Sequence, residues 1–175
     1  MATLKRKGFG QVEPNHLSAQ RTGQIYAQLI ADSSLSIIEN GMFLKYDYEN
    51  RKAVASANVA GEWLLVYNEE KLYDPRKQSH KHFAMQKDDY VDKEMVPRLF
   101  KTNVGDIFTT NTLGANTSDS AETQGVTVAV GNTLVVGSTG YLEVAGASPS
   151  GPQFKVVALT TMPDGQDAVK VQRIA

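Results

Sequence analysis

The sequence predicts a mainly β protein, an antiparallel barrel or sandwich with an extended N-terminal arm and at most one short helix. Three observations carry that prediction. Short runs of apolar, β-branched and aromatic residues recur along the chain. Turn residues separate them at spacings of roughly 8 to 12 positions. No stretch sustains the i, i+3, i+4 stripe of an amphipathic helix.

The elements follow in order. Residues 1–23 read as an arm, because Lys5, Arg6, Lys7, Gly8, Gly10, Pro14 and Gly23 interrupt any period and scatter the apolar positions. Residues 24–175 then form a single β-rich domain, with a candidate subdivision near 101. Strands are expected at 24–31, 36–39 and 42–48. Asn40-Gly41 lies between two apolar runs, a hairpin signal, because a type I′ turn needs positive φ at both central residues. Glu49-Asn-Arg-Lys is the next polar turn, and Ala53-Val-Ala-Ser and Glu62-Trp-Leu-Leu-Val-Tyr supply two more strands. Leu72 to His82 is a long polar connection, and His82-Phe-Ala-Met-Gln a further short strand. Residues 88–100 hold the one helix-like piece, interrupted by Pro97.

Beyond residue 101 the texture changes: 11 of the 14 Trp, Tyr and Phe side chains precede it, so the later strands must pack with small residues. Residues 104–110, 125–130, 133–136 and 141–144 read as strands bounded by glycines. Thr110 to Gln124 is polar enough to be an exposed loop. Phe154 to Thr161, the turn Pro163-Asp-Gly and Ala168 to Ile174 form a terminal hairpin. In its last strand Val169 and Val171 share one face, with Lys170 and Gln172 on the other.

Composition bounds the function. With 18 Lys+Arg against 19 Asp+Glu, the net charge of −1 offers no general surplus for phosphate backbones, so no direct nucleic-acid partner is expected. The absence of cysteine excludes disulfides, thiolate metal sites and cysteine nucleophiles. The basic start runs into Gly8-Phe-Gly-Gln instead of an apolar segment, which is not the pattern of a secretory signal. No apolar run approaches the ~18 to 20 residues of a bilayer-crossing helix, so no membrane partner is expected.

Candidate chemistry is sparse. A Ser-His-Asp arrangement would need His16, His80 or His82 as base, and no Gly-x-Ser-x-Gly elbow presents a nucleophile. His80 and His82 would share one face of an extended segment and could offer two metal ligands, but no third is near and Lys77 and Lys81 would repel a cation. Asp88, Asp89, Asp92 and Glu94 gather carboxylates without the Gly and closing Glu of a calcium loop, and fit an acidic helix start better. The glycines match neither phosphate-binding pattern. Asn116-Thr-Ser is a glycosylation acceptor without a secretion context. The expectation is therefore no catalytic residue, no metal, no cofactor and no enzymatic activity.

What remains is binding through surfaces. Lys5, Arg6, Lys7, Phe9 and Leu17 on the arm, with Trp63 on the body, are the candidate partner-binding residues. Two readings of the arm stand: a frayed terminus, or a segment that orders on a partner. In either case deleting residues 1–20 is expected to leave the body folded. The aromatics Tyr46, Tyr48, Trp63, Tyr67 and Tyr73 would serve a carbohydrate-binding module as stacking platforms if they faced solvent in a groove.

The phrases Ile37-Ile-Glu-Asn-Gly-Met-Phe-Leu-Lys-Tyr-Asp, Glu62-Trp-Leu-Leu-Val-Tyr-Asn-Glu and Val104-Gly-Asp-Ile-Phe-Thr-Thr-Asn resemble the layout of head decoration proteins and other auxiliary virion proteins of tailed bacteriophages. That resemblance, over about residues 35–175 in texture, implies a non-enzymatic virion structural protein on the outer surface of an assembled capsid. It would be assembled in the host cytoplasm and bind the major capsid protein or another virion protein, with a homo-oligomer as a further option. Residues 63–100 have no counterpart in that layout, which keeps a head-fibre, neck or tail component open beside the carbohydrate-binding module.

Overall fold

A computed structural model describes residues 1–4, 6, 8–68, 84–114 and 126–175. The chain is mainly β, as the sequence predicts. In chain order the strands are β1 (Ala2–Leu4), β2 (Val12–His16), β3 (Tyr26–Ala27), β4 (Ile30–Ala31), β5 (Ile37–Glu39), β6 (Phe43–Asp47), β7 (Lys52–Val54) and β8 (Leu64–Val66). They continue with β9 (Ala84–Gln86), β10 (Arg98–Phe100), β11 (Ile107–Thr110), β12 (Val126–Val128), β13 (Thr133–Val136), β14 (Leu142–Val144), β15 (Gln153–Thr161) and β16 (Asp167–Arg173). One short helix, α1 (Ser18–Thr22), lies between β2 and β3.

Two six-stranded sheets dominate, in the orders β3-β10-β8-β6-β7-β4 and β14-β13-β15-β16-β11-β2, with the two-stranded ribbons β1-β12 and β5-β9 beside them. Among the described residues all pairs of these strands are antiparallel except β4 with β7. Phe43, Trp63, Leu65 and Phe100 from the first sheet pack against Phe108, Leu134, Phe154, Val156, Val169 and Val171 from the second. At the centre the rings of Phe43 and Phe154 are 5.2 Å apart and those of Phe108 and Phe154 5.6 Å, the latter edge to face, a favoured contact between ring quadrupoles. The opposite face of the first sheet is also covered: Leu44, Tyr46, Val66 and Leu99 bury against Ile38, Met85 and Met95. Double coverage explains why β6 is buried at four successive positions instead of alternating.

The terminal hairpin is as read, β15 pairing with β16 from Phe154↔Arg173 to Thr161↔Asp167 with a bulge near Val157. Its turn closes through Gly165 N–H to the Met162 carbonyl (2.8 Å) and Met162 N–H to the Gln166 carbonyl (2.8 Å), a three-residue loop around Pro163-Asp164. Hairpin β13-β14 is closed by the analogous loop ending at Gly140. Gly140 has φ +84°, its carbonyl accepts from Phe43 N–H at 2.7 Å, and a Cβ there would collide with the Phe43 carbonyl oxygen. This loop tip is thus seated directly on β6.

Three expectations are corrected. Asn40-Gly41 is not a hairpin turn: β5 pairs with β9, while β6 pairs with β7 and β8. Only Gly41 (φ +90°) is left-handed, and Met42 N–H closes on the Glu39 carbonyl at 3.3 Å, which is the type II geometry that sends the chain into another sheet. The helix is not in residues 88–100, where a 3-10 turn (Lys87–Asp89) precedes β10; it is α1, inside the segment read as an arm.

The third correction concerns that arm. Residues 1–23 do not stand apart. β1 pairs with β12, β2 forms the edge of the second sheet against β11, and Val12, Leu17 and Ala19 are core residues. Pro14 interrupts the apolar pattern but is tolerated on this edge strand, where one side has no ladder to complete. The expectation that residues 1–20 can be removed without harm to the body therefore fails on packing grounds.

Candidate functional site

Two places concentrate polar side chains, one buried and one open. The buried one is a seam that ties the N-terminal segment to the body. Glu39, at the end of β5, is 1% exposed. Its Oε2 pairs with Arg6 Nη1 at 2.9 Å and accepts from the Tyr141 hydroxyl at 2.8 Å, while Oε1 accepts from Gly10 N–H at 2.8 Å. Burial, followed by the adjacent Glu39 carboxylate, pushes the Tyr141 hydroxyl above its ordinary titration range, so it stays a donor at neutral pH. Next to this triad, Gln11 N–H donates to Asn111 Oδ1 (2.6 Å), Thr110 Oγ1 to the Gln11 carbonyl (2.6 Å) and Thr112 Oγ1 to the Asn40 carbonyl (2.8 Å). Asn40 Oδ1 accepts from Asn68 N–H at 2.7 Å, and Asn68 Oδ1 from Arg98 N–H at 2.9 Å.

A second anchor sits at the start of α1. Leu17 occupies the N-cap position and has no side-chain acceptor to offer. Asp106, just before β11 and 2% exposed, supplies it instead: Oδ1 accepts from Ser18 N–H (3.0 Å) and Ser18 Oγ (2.8 Å), and Oδ2 from Asn103 N–H (2.8 Å). A carboxylate at this position also complements the positive helix terminus.

The open place is a groove of about 270 Å³ at one end of the first sheet, lined by Gln24, Gln28, Tyr46, Tyr48, Leu64, Leu99, Phe100 and Lys101. Gln24 and Gln28 flank the short edge strand β3, and both reach the groove. Tyr46, near the end of β6, and Tyr48, in the turn just after it, bring their rings together, 5.8 Å apart and tilted by 52°. Tyr46 is 9% exposed and forms a wall; Tyr48 is 68% exposed and presents its ring to solvent. The Tyr48 hydroxyl donates to Gln28 Oε1 at 3.3 Å. Lys101 Nζ pairs with Glu62 Oε2 at 2.8 Å, so the cation lining the groove is engaged.

The residues expected to bind a partner are dispersed. Arg6, Leu17 and Trp63 are interior, at 7%, 2% and 7% exposure, and cannot meet a partner surface. Trp63 is in the main core, with Lys45 Nζ 4.8 Å above its ring and bonded to the Val59 carbonyl (2.8 Å). Phe9 is half-buried. Lys5 and Lys7 lie outside the described residues, as do His80, His82 and Tyr73. His16 Nδ1 meets Arg21 Nη2 at 3.3 Å on the surface, and Asp88 pairs with Lys93 at 3.4 Å. Tyr67 is partly buried against the main core. Among the described residues no three His, Asp or Glu side chains gather as a metal site would require.

Sequence reading missed Glu39, Tyr141, Asp106, Gln24 and Gln28. The two glutamines carried a usable signal, their even spacing across an expected strand. Glu39 carried none, because its partners lie 33 and 102 positions away. The fold and these two sites define a mainly β protein of the barrel or sandwich type with a buried polar seam and, among the described residues, a tyrosine-lined surface groove. Comparison with protein-family models, with curated proteins and with solved structures found no match.

Proposed function

We propose that this chain is a non-enzymatic structural protein of a tailed-phage virion, bound to the outer surface of the assembled capsid through the major capsid protein or another virion protein. One observation supports it above the rest. Arg6, Glu39, Tyr141 and Asp106, all buried, are turned on each other and on the chain's own backbone, cross-linking its N-terminal segment to the β5-β9 ribbon and to the second sheet. Such an arrangement stiffens a body and presents no acid and base to a substrate. The resemblance of the phrases around Asn40-Gly41, Trp63 and Asp106 to head decoration proteins supplies the virion setting. A head-fibre, neck or tail component fits the same rigid β body.

Because Arg6, Leu17 and Trp63 are interior, attachment falls to the outer surface of the β body. Each copy would make a modest contact, and neighbouring copies on a regular shell would turn modest contacts into avidity. Co-sedimentation with undecorated particles, beside pull-down with dissociated shell subunits, tests the proposal. The purified protein is expected to saturate intact particles and to bind isolated subunits poorly. Equal binding to both, or none to particles, would overturn it.

A further inference from the structure

We infer that the groove between Tyr48 and Gln24 is a binding site for a neutral sugar ring. The inference goes beyond the virion proposal and concerns the isolated protein, so either can fail without the other.

Four features of the groove converge on that ligand class. The exposed Tyr48 ring, at 68%, is a flat apolar platform with a negative face, and the C–H bonds on one side of a pyranose present the matching positive edge. Tyr46, tilted 52° to it, closes the side, so that the two rings form a corner instead of a flat patch. Gln24 and Gln28 add amides that can donate to and accept from hydroxyl groups. Of these, Gln28 is oriented: its oxygen is occupied by the Tyr48 hydroxyl, which leaves its two N–H donors for a ligand. The volume of 270 Å³ falls just short of the roughly 300–1,000 Å³ of sites for drug-sized molecules, which suits one ring, or the end ring of a chain, and not an extended peptide.

Charge decides between a neutral and an anionic sugar. The cation lining the groove, Lys101, is held by Glu62 at 2.8 Å, and Glu62 is also reached by Arg173 Nη2 at 3.3 Å. An anionic ligand would have to compete with that carboxylate for Lys101, whereas a neutral ring leaves the pair intact. Leu64, half-buried, offers apolar contact, and no further charged side chain lines the groove.

The test is a titration of the full chain, followed by amide and side-chain NMR shifts. The probes are glucose, galactose, mannose, N-acetylglucosamine and their β-linked dimers, with glucose 6-phosphate and a proline-rich peptide as contrasts. At least one neutral sugar is expected to bind with a millimolar Kd, shifting Tyr46, Tyr48, Gln24 and Gln28 and leaving β15 and β16 unmoved. Loss of the stacking platform in Tyr48→Ala is expected to weaken binding about tenfold, and Gln28→Ala about threefold. Tyr48 is exposed, so its removal should leave the melting temperature unchanged, and Val130→Ala, also exposed and outside the groove, should leave affinity unchanged. Silence across the neutral panel, shifts that survive Tyr48→Ala, or tighter binding of the phosphate ester or the peptide would each overturn the inference.

Discussion

The N-terminal segment 1–23, through β2, and the terminal hairpin β15-β16 both enter the second six-stranded sheet, yet they are attached by different forces. The hairpin is local and apolar. Its strands meet through a three-residue loop and bury Phe154, Val156, Val169 and Val171 on one face. The N-terminal segment is non-local and largely polar. Gly10 N–H, Gln11 N–H and Ser18 N–H are held by side chains 29, 100 and 88 positions away. The contrast teaches that a segment with little apolar periodicity can still be integral, provided that the rest of the chain delivers buried acceptors to its backbone.

The largest expected effect breaks that comparison outright. Removing residues 1–17 takes Val12 and Leu17 from the core, worth roughly 2–5 kcal/mol for each large side chain lost. It also strands Glu39 without Arg6, which costs about 3–5 kcal/mol. Together these approach the whole stability of a typical domain, about 5–15 kcal/mol. Calorimetry of the truncated chain should show no cooperative transition near that of the full chain.

Next in size, Glu39→Ala should destabilise by about 3–5 kcal/mol in urea unfolding, comparable to Phe154→Ala in the hairpin at about 3–5 kcal/mol. The two should differ in rescue. Combining Glu39→Leu with Arg6→Met should recover much of the loss, because the apolar pair removes both buried charges, whereas no single partner change compensates a missing Phe154. Asp106→Ala should cost about 1–2 kcal/mol, the value of a helix cap, and raise hydrogen exchange in α1 first.

The smallest effect sharpens the comparison, since Asp164 joins the two regions. Its Oδ2 accepts from Gln11 Nε2 at 2.7 Å and from Gln166 Nε2 at 2.7 Å. Burial raises its pKa, but those hydrogen bonds outweigh burial and hold it below the ordinary value of 3.8. A group depressed in the folded state contributes stability that is present above pH 3.8 and is lost as pH falls through its folded value. Asp164→Asn should therefore flatten the acid limb of a stability-against-pH curve by lowering neutral stability by the modest amount that the ionised Asp164 supplies, while stability below its folded pKa changes little.

How far the sequence could be read follows from the same distinction. The hairpin β15-β16 was legible as a pair, and β6, β7, β13 and β14 as strands separated by turn residues, because their apolar runs and turn residues lie side by side in the chain. The strands of the first sheet were legible in place but not in pairing. Asn40-Gly41 has the composition of a hairpin turn, and what redirects it is the burial of Glu39 and Ile38 against β9 and the N-terminal segment, which is tertiary information. β2 and α1 were hidden because Pro14 and the glycines read as breakers, and because the cap of α1 comes from Asp106, 88 positions further along the chain. Tyr46, Tyr48 and Trp63 were all visible as stacking candidates, and burial alone separates them: Trp63 and Tyr46 belong to the two core clusters, while Tyr48 faces solvent.

The integral character of the N-terminal segment is tested most directly by native-state hydrogen exchange at the Gly10, Gln11 and Ser18 amides, read against the Val156 amide of β15, which donates to the Asn132 carbonyl at 2.9 Å. If buried acceptors hold the segment into the body, these three amides exchange only on global unfolding, with the same free energy as Val156. Exchange at the rate of a fraying terminus, with Val156 still protected, would contradict the account and restore a detachable arm.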